Sequence, residues 1–309
     1  MTPIKIKFVD FWPGFNEKDN FFINTLSRYY KLELSDSPDI LFFSCYGKKN
    51  LHYNCHKIMY LAENQRPDFR ITDFAISFDY LDDPRHLRLP LYVMYFDEKY
   101  TVEQLLERKT EETIDRIIKE KTGFCCFVVS NPKASTRIDF FHQLSKYKKV
   151  DSGGSVLNNI GGKIGSKLQF VKQYKFTIAF ENSSYSGYTT EKVLEPLQEN
   201  SIPIYWGNPD IGFEMNTKSF VNYHDYGSFD KLIERVVEID SNEDLYRQML
   251  REPLFHNHRP NEYFDENRLT VFFEKIVQST QDVPVSKTFS FKLIKSQMLL
   301  KGLSKKFVP

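Results

Sequence analysis

A chain of 309 residues exceeds the roughly 250–300 that one hydrophobic core organises, so two domains are expected. With 41% hydrophobic, 27% charged and 16% aromatic residues, it has apolar surface to bury and charge to stay dissolved, which excludes wholesale disorder. A formal net charge of +1 excludes a global field for gathering nucleic acid; no such partner is expected, and any polyanion site must be local.

In chain order, residues 4–10 alternate like a strand and lack the unbroken apolar stretch and small-residue cleavage site of a signal peptide. Phe11-Trp12-Pro13-Gly14 then forms a loop whose aromatic faces suit a pyranose ring, or pack at a rim. Residues 19–30 read as a helix, and 39–45, 57–61 and 73–78 as short apolar strands between polar turns. Asp82-Asp83 precedes Pro84 and shapes a turn. Between 101 and 121 charge rises, while Val102, Leu105, Leu106, Ile114, Ile117 and Ile118 recur at helical spacing. A domain boundary is placed near Gly123, dividing the chain into 1–122, 123–280 and a tail 281–309.

The second part repeats the alternation. Strands are predicted over 124–130, 176–180, 202–206 and 220–223, and helices over 135–147, 190–199, 228–239 and 243–251, with Ser228 as one N-cap and Thr190-Glu191 opening another helix. Two such halves predict an α/β protein with two Rossmann-like domains facing a central cleft, where ligands bind beyond the carboxyl ends of strands.

Four cysteines, Cys45, Cys55, Cys125 and Cys126, show no Cys-x-x-Cys spacing, and Cys125 and Cys126 within an apolar run read as small buried hydrophobes. No metal site is predicted, since closely spaced carboxylates of the Asp-x-Asp kind are missing. No run of about 18 apolar residues occurs, so a cytoplasmic location is expected. Residues 286–309 hold Lys287, Lys292, Lys295, Lys301, Lys305 and Lys306 and no acid, interleaved with Phe289, Phe291, Leu293, Ile294, Met298, Leu299, Leu300, Leu303 and Phe307. Two readings of this basic tail stand side by side: an amphipathic segment lying on an anionic membrane surface, or a terminal helix packed on the body.

The most informative stretch is Phe180-Glu-Asn-Ser-Ser-Tyr-Ser-Gly-Tyr-Thr-Thr-Glu-Lys-Val193, a strand end running through a polar loop toward a predicted helix. Backbone N–H groups at a helix start, with the Lys192 charge, suit a nucleotide diphosphate, and Glu191 can accept from a ribose diol. A solvated Glu-Lys surface pair is the plainer alternative.

Lys175-Phe-Thr-Ile-Ala-Phe-Glu-Asn-Ser-Ser184, Gly187-Tyr-Thr-Thr-Glu-Lys192 and Ile202-Pro-Ile-Tyr-Trp-Gly207 resemble the donor-binding signature of the α1,3/1,4-fucosyltransferases of glycosyltransferase family 10, the bacterial enzymes above all. Val150-Asp-Ser-Gly-Gly154, Leu61-Ala-Glu-Asn64, Asp73-Phe-Ala-Ile-Ser-Phe-Asp79 and Leu87-Arg-Leu-Pro-Leu91 extend the resemblance over residues 4–275. It implies a GT-B type fold, with acceptor recognition in the N-terminal domain and GDP-fucose in the C-terminal one. By the same resemblance, Arg137, Asn182, Tyr188, Glu191 and Lys192 would bind the donor and Glu63 would be the catalytic base. Phe11 and Trp12 are expected to contact the acceptor.

The implied reaction moves L-fucose from GDP-fucose, with inversion, to the 3-hydroxyl of N-acetylglucosamine in a Gal-GlcNAc, Lewis x-like acceptor, with no essential divalent metal. Arg137 and Lys192 would stabilise charge growing on the departing diphosphate, and a carboxylate would take the acceptor proton. Glu63 paired with Arg66 on the surface is its bland alternative. Competing functions are a noncatalytic carbohydrate- or nucleotide-binding protein and a same-fold transferase with another acceptor.

Overall fold

The structure, a computed structural model, describes residues 2–95, 102, 106, 108–132 and 135–304. The described helices are α1 (Phe21–Leu26), α2 (Glu111–Glu120), α3 (Ser135–Leu144), α4 (Lys167–Val171), α5 (Leu194–Gln198), α6 (Phe229–Ser241), α7 (Glu243–Arg251), α8 (Glu266–Ser279) and α9 (Phe289–Ser304). The chain forms two compact units, one of Met1–Leu89 with Tyr263–Pro309, the other of Pro90–Glu262. The division therefore falls at Leu89 rather than near Gly123, and the stretch set apart as a tail at 281 belongs to the first unit.

In the first unit β1 (Ile4–Val9), β2 (Leu32–Leu34), β3 (Ile40–Phe43), β4 (His56–Leu61), β5 (Phe74–Ser77) and β6 (His86–Arg88) make one parallel sheet, ordered β2-β1-β3-β4-β5-β6. Every residue of β3 and β4 is buried, as expected of strands covered on both faces. Phe42 packs with Phe22 of α1 at 5.2 Å and Phe273 of α8 at 6.1 Å. Its neighbours Leu41 and Phe43 point the other way, into a cluster with Met59, Leu61 and Phe291 of α9. Residues 1–89 supply six strands but only α1, of six residues, among their described α-helices, so both faces need cover from distant chain. The helices α8 and α9 provide it, and burying Phe291 alone contributes about 1.5–3 kcal/mol.

The tail thus packs on the body through Phe291, Ile294 and Met298, while Phe289, Leu293, Leu299 and Leu300 stay exposed. Lys301 and Leu303 lie in α9 beyond the described side chains, and Lys305, Lys306 and Phe307 lie outside the described residues. No described helix is long and apolar enough to cross a membrane. The helix predicted over 19–30 is shorter, because Asn20 caps it through Phe22 and Ile23 and the chain at Lys31 already bonds to Ile4 of β1. The short edge strands β2 and β6, half polar, escaped prediction. Asp83 does shape a turn, its Oδ1 accepting the Arg85 N–H at 2.8 Å.

In the second unit β7 (Gly123–Phe127), β8 (Val150–Ser152), β9 (Tyr174–Phe180), β10 (Ile202–Trp206) and β11 (Val221–Asn222) form a parallel sheet in the order β11-β10-β9-β7-β8. Cys125 enters the core with Phe127, Phe140 and Phe176, whereas Cys126 joins Phe170 and Tyr174 on the other face; both thiols are free and buried. Of the charged helix predicted over 101–121, α2 is described in full, capped by Thr110, and Val102 and Leu106 are helical; Leu105 lies outside the described residues. Ser228 caps α6, and α7 has the predicted bounds. Gly154 is more than a turn residue. A Cβ there would come within 2.2 Å of the Val129 carbonyl oxygen, so the backbone beyond β7 and β8 closes only over glycine.

Candidate active site

The strand order of the second unit reverses at β7, which pairs β8 on one side and β9 on the other. Loops leaving β7 and β9 therefore diverge at their carboxyl ends, the topological switch point where open α/β sheets bind ligands. Arg137, early in α3 after β7, meets there Asn182, two residues past β9: its Nη2 donates to Asn182 Oδ1 at 2.5 Å. Arg137 is buried, yet its Nε has no hydrogen-bond partner among the described residues. A buried guanidinium N–H left unmet is costly for a protein alone and is readily satisfied by an anion.

Beside it lies a compact ionic group. Lys192 Nζ stands 3.2 Å from Glu181 Oε2 and 3.5 Å from Glu191 Oε1, and donates to Thr190 Oγ1 at 3.0 Å. Burial lowers the Lys192 proton affinity, but Glu181 and Glu191 outweigh it, so the ammonium is held above the ordinary lysine range. For Glu191 burial acts upward, and the charges of Lys192 and Lys167 prevail and hold it down. Burial draws Arg137 below its usual value against the pull of Glu181, Tyr188 and Glu191. Tyr188 is buried, so it lies in the floor of the group rather than on its surface.

One expectation is corrected. Thr190, Glu191 and Lys192 do not open a helix: they form a turn before α5, which spans only five residues. The Thr190 N–H is taken by Glu181 Oε1 at 2.8 Å, and Gly187 enters the turn at φ +79° with its N–H bonded to Asn208 Oδ1 at 2.8 Å. Positive potential here comes from Arg137 and Lys192 side chains instead of a helix start. Asn208, fully buried, also donates to Thr189 Oγ1 at 3.0 Å and Glu214 Oε1 at 3.1 Å and accepts from the Asp210 N–H at 2.9 Å. Glu181 and Asn208 were not singled out in the sequence, and Thr190 only as the start of a helix. An acid immediately after an apolar strand, and a Gly-Asn-Pro-Asp turn after the next strand, were the available signals.

The first unit holds the other expected residues. Its strand order reverses between β1 and β3, and the loops beyond them carry Trp12 and Tyr46. Phe11 stacks on Phe15 at 4.1 Å, and Trp12 meets Phe15 edge-on at 5.2 Å and Tyr60 at 6.4 Å, so both rings are anchored in an aromatic cluster. They line a concavity of about 360 Å³ together with Lys7, Asp10, Glu17, Asp36, Lys49 and Tyr53. Glu63, half-buried two residues past β4, accepts from the Tyr46 hydroxyl at 2.7 Å. Arg66, its expected surface partner, turns to Asp79 at 2.9 Å and to Asn64 at 2.8 Å. Among the described residues no group of three or more His, Cys, Asp or Glu side chains could hold a metal ion.

Two family profiles match in tandem: the N-terminal domain of alpha-(1,3)-fucosyltransferase FucT over residues 6–95, and the C-terminal part of glycosyltransferase family 10 (fucosyltransferase) over 118–266. Alpha-(1,3)-fucosyltransferase FucT of Helicobacter pylori is 31% identical over 318 aligned positions, covering 90% of this chain and 66% of that protein. A GDP-fucose protein O-fucosyltransferase 3 of Xenopus tropicalis is 28% identical over 190 positions, 56% of this chain and 39% of that one. The chain thus spans about two thirds or less of the length of these named relatives. A crystal structure of an α1,3-fucosyltransferase with GDP-fucose superposes with a TM-score of 0.78 at 29% identity, covering 91% of this chain and 92% of that one. With two parallel-sheet α/β units of the GT-B type and both profiles in order, this chain belongs to glycosyltransferase family 10, the fucosyltransferases.

Proposed function

We propose that this chain transfers L-fucose from GDP-fucose to a sugar hydroxyl with inversion at the anomeric carbon. The observation that carries the reading is the buried Arg137, unmet at Nε among the described residues, beside the Lys192 ammonium at the switch point of the second unit. Arg137 and Lys192 hold the diphosphate, Asn182 and Tyr188 shape the donor pocket, and Glu191 accepts from the ribose. The acceptor oxygen bonds to the anomeric carbon as the bond from that carbon to the β-phosphate oxygen breaks. The electron pair leaves with GDP, where the two cations stabilise it without requiring a divalent metal, and Glu63 takes the acceptor proton.

The acceptor is read as N-acetylglucosamine within a Gal-GlcNAc unit, fucosylated at its 3-hydroxyl as in Lewis x-type glycans. The aromatic and ionic walls of the first unit's concavity, Trp12 and Phe11 against Lys7, Glu17 and Asp36, are the mixed lining that pyranoses need, and about 360 Å³ falls in the range of small-molecule sites. A second reading, a protein hydroxyl as acceptor, draws on the similarity to the protein O-fucosyltransferase. Incubating purified protein with GDP-fucose and N-acetyllactosamine should release GDP. Consumption of GDP-mannose or UDP-sugars with GDP-fucose left intact would overturn the donor assignment, and turnover on a folded protein module but not on lactosamine would favour the second reading.

Peripheral attachment to an anionic membrane belongs to the same proposal. It rests on Phe289, Leu293 and Leu300, exposed on α9 beside Lys292. Because Phe291 is part of the core, removing α9 would also damage the first unit. Changing Phe289, Leu293 and Leu300 together to serine is the cleaner test, and unchanged sedimentation with phosphatidylserine vesicles would discard the idea.

A further inference from the structure

The carboxylate of Glu181 is an oddity of this site. It follows β9 directly, its residue is 1% exposed, and ionised carboxylates are rarely retained at such depth without a task, because desolvation costs several kcal/mol unless partners offset it. Three other positions are fitted around it. Thr190 gives it a backbone N–H at 2.8 Å and a hydroxyl lying 2.9 Å from Oε1 and 2.8 Å from Oε2. Lys192 Nζ is 3.2 Å from Oε2. At position 207 a Cβ would stand 2.4 Å from Glu181 Cγ and 2.9 Å from its Cβ, so the acid has room only because that residue is glycine. The Thr190 hydroxyl in turn accepts from Lys192 Nζ at 3.0 Å, closing a ring of carboxylate, hydroxyl and ammonium.

We propose that Glu181 is a positioning residue: lodged under Gly207 and tied to Thr190, it fixes the Lys192 ammonium where the nucleotide diphosphate is held. The inference rests on the donor-site reading above. All three Lys192 donors have partners here, Glu181 and Thr190 closely and Glu191 Oε1 at a longer 3.5 Å, so a phosphate oxygen would take over the weakest of the three, the contact with Glu191. The groups acting on this ammonium are Glu181 at the end of β9, Glu191 in its own turn and Arg137 on α3, whose charge opposes it; Glu195 on α5 and Lys167 on α4 form the next ring. Without Glu181, burial and Arg137 would act on Lys192 with Glu191 as its main remaining counter-charge, and the ammonium would lose its proton at lower pH.

The test is GDP affinity by calorimetry between pH 7 and 9.5, read relative to the unsubstituted protein so that ionisation of GDP itself cancels. In Glu181→Gln affinity should fall at least about tenfold more across this range than in the parent, the change expected when one charge-assisted contact is lost. Adding Lys192→Arg should abolish that extra fall, because a guanidinium does not titrate there. A folded Glu181→Gln protein with the parental pH profile would overturn the proposal. If that variant does not fold, Thr190→Val carries the test: an extra alkaline loss of affinity supports the role, and a parental profile refutes it. Lys192→Ala separates the two claims. Unchanged GDP affinity there would sink the donor-site reading itself, whereas weakened affinity with a parental Glu181→Gln profile would sink only the role of Glu181.

Discussion

Two glutamates follow central strands of the two sheets, and their surroundings differ in a way that separates their tasks. Glu181, after β9, is sealed in and saturated by Thr190 and Lys192. Glu63, after β4, is half-buried and is held at one oxygen by Tyr46. Burial pushes the Glu181 proton affinity up and the Lys192 charge and Thr190 bonds draw it back, so a carboxylate bonded at both oxygens suits a counter-charge to Lys192 rather than a base. A carboxylate steadied at one oxygen, with the other unbonded among the described residues, fits the proposed role of taking a proton from an incoming hydroxyl. The same residue type just beyond a central strand therefore suits the two different tasks proposed for it, and only the neighbouring loops decide which.

The largest effect that would break this contrast is expected at Glu63. Glu63→Gln should reduce kcat by about 100-fold or more while GDP affinity by calorimetry holds, because general base catalysis contributes about 10²–10⁴; equal turnover would remove Glu63 from the chemistry. Lys192→Ala should weaken GDP binding by about 10–100-fold, the worth of a hydrogen bond to a charged group. Gly207→Ala sharpens the comparison from the other side: its methyl collides with Glu181 Cγ at 2.4 Å, and thermal melting should show a loss of about 1–3 kcal/mol from overpacking. An unchanged melting temperature would mean that Glu181 has more freedom than its seal suggests. The smallest change is expected for Tyr46→Phe, a few-fold lower kcat with GDP affinity intact, read from steady-state kinetics. A loss as large as that of Glu63→Gln would instead make Tyr46 part of the chemistry.

Much of the second unit was legible in the sequence. The apolar runs at β7, β9 and β10 lie near their predicted bounds, α7 matches them, and Ser228 caps α6 as expected. These are local matters: alternation, a capping hydroxyl and a turn act within a few residues. The residues that the resemblance singled out as donor candidates lie in two motifs that each follow a strand, and folding brings Arg137 onto Asn182 and Lys192 beside Glu191. What escaped was the conformation at Thr190. An N-cap-like Thr-Glu pair suggested a helix start, but the buried Glu181 carboxylate claims the Thr190 N–H and holds a turn instead. A contact nine residues away outweighed local propensity.

The sequence by itself determined the longer apolar strands, the α/β class and the charged loop beyond β9, since periodicity and residue chemistry are written along the chain. Tertiary structure decided which segments share a core. Residues from Tyr263 onward return to the first unit because its sheet, served by a single six-residue α-helix among the described residues before β2, would otherwise leave apolar faces such as that of Leu41 and Phe43 in water. It also decided the need for glycine at 154 and 207, where backbone or a buried acid approaches too closely for any side chain. Neither outcome is visible in local pattern, because both arise between residues that only folding brings together.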